Sequence, residues 1–447
     1  MELKKIFSIP ARFIDVRIQF SRTNRITLDD GTIRDLSYGE VEGISIRVLD
    51  KTWGFASSND ISKAYKLAEK AWKVAKQGDK KINLKSIDIA KDRVKVNVKQ
   101  NPFDIDLEEK KNILKEAEKE VKDKKIASTS FSYADSFTKT IYLSSEGSEI
   151  EAEITRVVAL AKVFAKENNK LQVAFERIGG VGGLELIQEF NVKALEAKDR
   201  AIRLLSAKSP PIGKFRVVLD PKLTGVFFHE ALGHATEADH VLNNESILEN
   251  KIGKRIASPI VTVYDDPTIK NSFGFYFYDD EGVKARKKAI VEKGRLVNYL
   301  HSRETSEALN MQANGNARAQ SFEHVPIPRM SNTYIAKGDF SFDEIIEDIG
   351  YGVYLLGSKG GEVDTARGVF QFSAEEGFII RKGEIAEPIR DVALSGSTLE
   401  ILKQIDAVGK DFSLHIGFCG KEGQLVPVGD GGAHIRTFAT VGGINGY

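Results

Sequence analysis

The chain has a single cysteine, Cys419, in 447 residues, so no internal disulfide can form. An unpaired thiol fits a reducing cytoplasm, because the start of the chain, Met1 to Phe13, holds too short an apolar stretch for a secretory signal. No run of about eighteen apolar residues occurs, so no membrane span is expected. Neither sign of charge is in excess. The 65 Lys and Arg face 64 Asp and Glu, and a formal net charge of +1 leaves no field to draw in a polyanion, so nucleic acid is not an expected partner. The GxSxG elbow of serine hydrolases is missing, as are fixed-period repeats and low-complexity linkers. Methionine is scarce at 3, and with 29% charged residues this is a composition shared by many heat-adapted proteins.

With 41% hydrophobic residues the chain can build a large core, and its length exceeds what one compact core usually supports, so two or three domains are expected. Ile14, Val16, Ile18 and Phe20 alternate with polar residues, and Ile26 and Leu28 lead into an Asp30-Gly31 turn, which predicts a hairpin. Ile44, Ile46 and Val48 alternate again. From Asp60 to Gln77 the apolar spacing becomes helical, which predicts a helix on the sheet. After a lysine-rich patch, Val94, Val96 and Val98 are in strand register, a charged helix is expected over 107–121, and strands over 126–133, over 138–143 and from Glu149. A helix over 184–205 is stopped by Ser209-Pro210-Pro211. Beyond it, Phe215 to Leu219 forms a strand, Pro221 suits a first helical position, and Leu223 to Glu237 continues that helix. The rest is mostly β, with strands expected over 260–264, 273–278, 353–356, 369–373, 378–381 and 414–418 and a hairpin around Glu292 to Arg295.

The fold class is therefore α+β. An N-terminal mixed sheet-and-helix region covers 1–209, divisible near 100–125, and a β-rich C-terminal domain covers 212–447 with an inserted metal-binding helix.

His229-Glu230-Ala231-Leu232-Gly233-His234 puts two imidazoles and a carboxylate within six residues, the groups that metal-assisted hydrolysis requires. Histidines at i and i+4 would lie about 40° apart around a helix, whereas these, at i and i+5, lie about 140° apart. Both can reach one ion only if the helix is locally widened or broken, so a π-type turn is expected between them, with Gly233 as the weak point. Two ligands do not hold zinc, and Cys419, at the end of an apolar strand, is the natural third. Four other histidines, His240, His324, His415 and His434, could orient a ligand, but packed histidines are usually structural and none is assigned a role. Asp265-Asp266 and Asp279-Asp280-Glu281 read as turns on strand ends, and Gly179 to Gly183 as a tight turn or hinge.

HEALGHATEAD (His229 to Asp239), LHSRET (Leu300 to Thr305), GNARA (Gly315 to Ala319), PRMSNTY (Pro328 to Tyr334) and CGKEGQLVPVGDGG (Cys419 to Gly432) together resemble the TldD/PmbA family of peptidases, and within it the TldD-type members that carry HExxxH. The resemblance spans the whole chain and is strongest beyond Pro221. It implies Zn2+ bound by His229, His234 and Cys419, with Glu230 as the catalytic base that activates water for hydrolysis of peptides or unfolded polypeptide. It also implies a dimer, commonly a heterodimer with a PmbA/TldE-type paralogue that lacks the motif. A thiolate ligand makes zinc a weaker Lewis acid, so modest turnover is expected. The alternative is a non-catalytic peptide- or protein-binding subunit in which the metal only staples Cys419 to the helix.

Overall fold

A computed structural model describes residues 3–78 and 81–443. The first two residues of the range 1–209, residues 79 and 80 in its lysine-rich patch, and the last four of the range 212–447 lie outside them.

The N-terminal region is one twisted sheet with helices on it. Strands β1 (Phe13–Asp29) and β2 (Thr32–Leu49) form the long hairpin, turning at Asp30 and Gly31, whose φ of 47° and 76° suit an Asp-Gly pair. β3 (Trp53–Ser58) pairs with β2, and β5 (Ile126–Ser144) pairs with β1 and with β6 (Glu149–Glu167). β6 also pairs with β4 (Lys91–Lys95) near its start and β7 (Lys170–Val181) near its end. β4 ends at Lys95 and so leaves out Val96 and Val98, which the alternation includes with Val94.

The sequence suggested two strands where β5 runs unbroken. Its pattern is interrupted by the buried Asp135, whose carboxylate accepts from Asn24 (2.8 Å), Lys110 (2.7 Å) and the Tyr133 hydroxyl (2.6 Å). A charge satisfied this fully can sit inside a strand without breaking it.

Helix α1 (Leu3–Ile6) and helix α2 (Ala64–Ala75) bury Ile6 and Leu67, Ala68 and Ala71 on the sheet with Ile44 and Ile46. α3 (Leu107–Glu120) and α4 (Phe190–Ser206) cover Phe131, Ala159 and Val163. The predicted 184–205 helix is shorter than expected: Leu184–Leu186 is a single 3-10 turn and α4 begins at Phe190.

The C-terminal part has two larger sheets. Strand β8 (Gly213–Leu219) lies inside a nine-stranded sheet that ends on one side with Gly360–Asp364. A six-stranded sheet ends with the hairpin Ser413–Lys421 and Gln424–Gly432, and Gln424–Gly432 runs parallel to Asn332–Ile335. The expected 273–278 strand is absent. Its aromatic alternation is real, but the carbonyls of Phe273 and Phe275 accept from the Arg156 guanidinium rather than from a neighbouring strand.

Helix α5 (Pro221–Phe227) is packed between these sheets. Asp220 caps it by accepting from Leu223 N at 2.7 Å, and Pro221 occupies the first turn, where its missing N–H costs nothing. Leu223, Phe227 and Phe228 are fully buried against Val217, Val353 and Val428, and each such side chain contributes roughly 1.5–3 kcal/mol. Gly225 lets the helix approach the hairpin: a Cβ there would lie 2.2 Å from Gly431 N.

Ion pairs, one of them fully buried, tie the N-terminal sheet to the C-terminal part. Arg47 pairs with Asp15 (2.5 Å) on β1 and with Glu281 (2.9 Å) across the boundary, and Arg303 pairs with Glu146 (2.8 Å). The acidic pairs are thus more than turns. Asp266 does close a turn onto Thr268 N (2.9 Å), but Asp265 is fully buried against Lys288 (3.1 Å), and Glu281 bridges the two parts.

Candidate metal centre

After Phe227 the helix widens. Phe228–Gly233 forms one π turn, in which His234 N donates to His229 O, the i to i+5 bond that the histidine spacing calls for. The turn is anchored by Phe228, Ala231 and Leu232, all buried in the core between the sheets. Gly233 is not the break expected of it, because its backbone is helical (φ −57°, ψ −53°). It is small for packing, since a Cβ would meet Met330 Sδ at 2.0 Å.

The widened turn brings the rings of His229 and His234 to a centroid distance of 5.3 Å at 89°. Cys419 comes from the hairpin strand Ser413–Lys421, and one ligand atom from each of the three residues lies within 4.8 Å of the others. Cys419 Sγ is 3.5 Å from His234 Nε2. Zinc about 2.3 Å from sulfur and about 2.05 Å from nitrogen in tetrahedral geometry would separate the two donors by about 3.5 Å. The donor set fits such an ion, with a thiolate and two imidazoles and no fourth protein ligand among the described residues.

Electrostatics favour the ligating form of the sulfur. Burial raises the Cys419 thiol, but His229 and His234 outweigh it through charge and hydrogen bonding and bring it down to about 5. Burial likewise disfavours charge on His229, and the sulfur more than offsets it, so that its pKa is raised. His229 Nδ1 is buried with no hydrogen-bond partner among the described residues.

His234 is supported from behind. Its Nδ1 lies 2.9 Å from Glu237 Oε2, which holds the ring with Nε2 facing the sulfur. Glu237 is fully buried. Burial acts to raise its carboxyl, but His234 and then Lys421 hold it down to about 2. Lys421 Nζ is 3.2 Å from Glu237 and 2.7 Å from Asp239. Sequence reasoning gave Glu237 and Lys421 no role, yet Lys421 stands two positions after Cys419 and so on the same face of its strand.

Glu230 lies beside the cluster, its side chain 33% exposed and Oε2 3.7 Å from His234 Nε2. With His229 it lines a cavity of about 270 Å³ whose walls include Lys222, His415, Phe418 and Asp430 together with Glu176 and Arg177 of β7. Burial pushes Asp430 up to about 6, and burial followed by Lys222 pushes His415 down to about 4.

The other named histidines stand outside the three-residue cluster. His240 lies 3.1 Å from Glu245 and 3.7 Å from Glu237, His324 hydrogen-bonds Ser321, and His434 lies between Asp411 and Tyr354. His415 is on the cavity wall. His301, not singled out in the sequence, is buried with Nε2 unpartnered among the described residues.

The chain matches a family of metallopeptidases over most of its length. Family models for domain 1, the central domain and the C-terminal domain of the PmbA/TldA metallopeptidases match residues 14–75, 100–205 and 212–442, and the chain belongs to this TldD/PmbA family. It is 50% identical over 436 residues to a metalloprotease of Methanocaldococcus jannaschii, covering 96% of each chain. It is 33% identical over 439 residues to the zinc metalloprotease TldD homolog of Saccharolobus solfataricus, covering 97% of each. Its fold matches that of a putative modulator of DNA gyrase from Thermotoga maritima with a TM-score of 0.81 at 21% identity, over 98% of this chain and 99% of that one. TldE from Thermococcus kodakarensis matches with a TM-score of 0.77 at 19% identity, over 99% and 98%. No described helix is long and apolar enough to cross a membrane.

Proposed function

We propose that this chain hydrolyses peptide bonds in peptides or unfolded polypeptides, with zinc held by His229, His234 and Cys419 and with Glu230 as general base. The observation that carries this reading is the position of Glu230: on the π turn that starts beside His229 and is closed by His234, beside the donor cluster, and open to a cavity. When bound, the ion would supply a Lewis acid to polarise the scissile carbonyl and acidify a water. Glu230 takes the proton from water at a carboxylate oxygen and delivers it to the departing amine nitrogen. Glu237 keeps the His234 ring in the orientation that presents Nε2.

The substrate reading rests on the sheet edges. The strand Ser413–Lys421, which carries Cys419, is the last strand of its sheet, and Gly360–Asp364 is the last strand of the other. Residues of both line the cavity. An extended chain laid along such an edge is held by backbone hydrogen bonds that ignore side-chain identity, which suits unfolded substrates. We further propose a dimer, with a second copy or with a PmbA/TldE-type paralogue, working in the cytoplasm, where a thiolate ligand stays reduced.

Replacing Glu230 by Gln tests the reaction. Zinc content should stay unchanged while cleavage of an unfolded protein such as casein falls at least about a hundredfold. Retained cleavage would leave Glu230 without the role proposed, and absence of cleavage in the parent chain with and without its paralogue would favour a binding subunit with a structural metal.

A further inference from the structure

A second cavity, of about 170 Å³, lies where β1, β5 and β6 face the C-terminal part. Three guanidinium groups meet on it. Arg17 comes from β1, Arg156 from β6, and Arg318 from the short strand Ala317–Arg318. Arg156 Nε and Nη2 donate to the carbonyls of Phe273 (3.3 Å) and Phe275 (3.0 Å). Arg318 donates to those of Met330 (2.6 Å) and Pro427 (2.8 Å). Neither is paired with a carboxylate among the described residues, and each has N–H groups left over.

The carboxylates on the same cavity do not cancel this charge. Asp280 is taken by Arg17 (3.1 Å) and by Ala319 N (2.8 Å). Asp279 accepts from the amides of Glu281, Val283 and Ala317, so its oxygens are occupied by backbone donors, and burial followed by the neighbouring Glu281 raises its carboxyl above the usual range. Arg17 adds an independent sign: it is 3% exposed, and its Nε has no partner among the described residues. Burial, and then the proximity of Arg318, lowers Arg156 to about 9, as expected of like charges held close together in a partly buried place. Two such guanidiniums are costly to keep without an anion, and their forked N–H groups match a carboxylate or phosphate. A cavity near 150 Å³ is about large enough for a six-membered ring.

We propose that this cavity is a binding site for a small oxyanion, the carboxylate or phosphate group of a ligand no larger than an amino acid, held between Arg156 and Arg318. It is separate from the metal centre: none of its lining residues is His229, Glu230, His234 or Cys419.

Calorimetric titration of the full chain with inorganic phosphate, with N-acetylalanine and with N-acetylalanine amide tests it. Phosphate, N-acetylalanine or both should bind at one site per chain, and which of them binds identifies the natural oxyanion; the amide should not bind. Affinity should fall at least about tenfold in Arg156→Met and vanish in Thr140→Glu, which puts a negative charge on the cavity wall. Thr140→Glu leaves the carbonyl bonds of both arginines in place, so it remains informative if an arginine variant fails to fold. Binding should persist in Cys419→Ser. No saturable binding of either oxyanion, unchanged affinity in Arg156→Met and Thr140→Glu, or loss in Cys419→Ser, which would put the anion at the metal centre, overturns the proposal.

Discussion

Glu237 Oε2 stands 2.9 Å from His234 Nδ1, and the same carboxylate is 3.2 Å from Lys421 Nζ, so one buried acid links the histidine turn to the strand that carries Cys419. A carboxylate behind a metal-bound imidazole fixes its tautomer and raises its basicity. Glu237→Gln should therefore weaken zinc binding by about 10- to 100-fold in competition with a chelator, while far-ultraviolet circular dichroism stays native. Unchanged affinity would reduce Glu237 to a packing role.

The two glycines on the histidine helix should respond differently to the same added methyl. At Gly225 a Cβ meets backbone, Gly431 N at 2.2 Å, whereas at Gly233 it meets the side chain of Met330. Overpacking of this kind costs about 1–3 kcal/mol where side chains can move and more where they cannot. Gly225→Ala should lower the Tm more than Gly233→Ala, and Met330→Ala should relieve only the latter.

The π turn was legible because its spacing allows little else: i and i+5 histidines share an ion only on a widened helix. Cys419 was legible because there is no other thiol to weigh. Glu237 and Lys421 were hidden for the opposite reason. Glutamate and lysine are abundant, and nothing local marks the pair that ends up buried and facing one imidazole. The fold shows the same limit. The β1–β2 hairpin follows from alternation and an Asp-Gly turn, but the unbroken β5 depends on Lys110 and Asn24 reaching Asp135 from other elements. The aromatic alternation of Phe273 to Tyr278 is a strand pattern without a strand, because Arg156 takes its carbonyls.

Arg47 should be among the most sensitive positions for stability. It is buried between Asp15 and Glu281, and removing one partner from a buried ion pair costs about 3–5 kcal/mol because the charge left behind is unpaired. Arg47→Met should shift the denaturant midpoint strongly downward. A change within the scatter of surface substitutions would show that the pairs across the boundary do not hold the two parts together.

Acid should destabilise the chain in a defined window. Burial lowers His301 to about 4, and burial followed by Lys222 lowers His415 to about 4, while the unfolded chain titrates near the usual 6.5. Between about pH 6.5 and 4 the unfolded state binds more protons than the folded one, so stability falls as pH falls, by up to about 3 kcal/mol per histidine. His415→Gln should flatten the slope of unfolding free energy over that window, and an unchanged slope would mean that His415 protonates freely in the fold.

The metal ligation itself is tested most directly by cobalt substitution. The Co(II)-loaded chain should show a thiolate-to-metal charge-transfer band with one ion bound per chain. In Cys419→Ser the band should vanish and the affinity should drop. A band or a stoichiometry unaltered by that substitution would contradict a centre built from His229, His234 and Cys419.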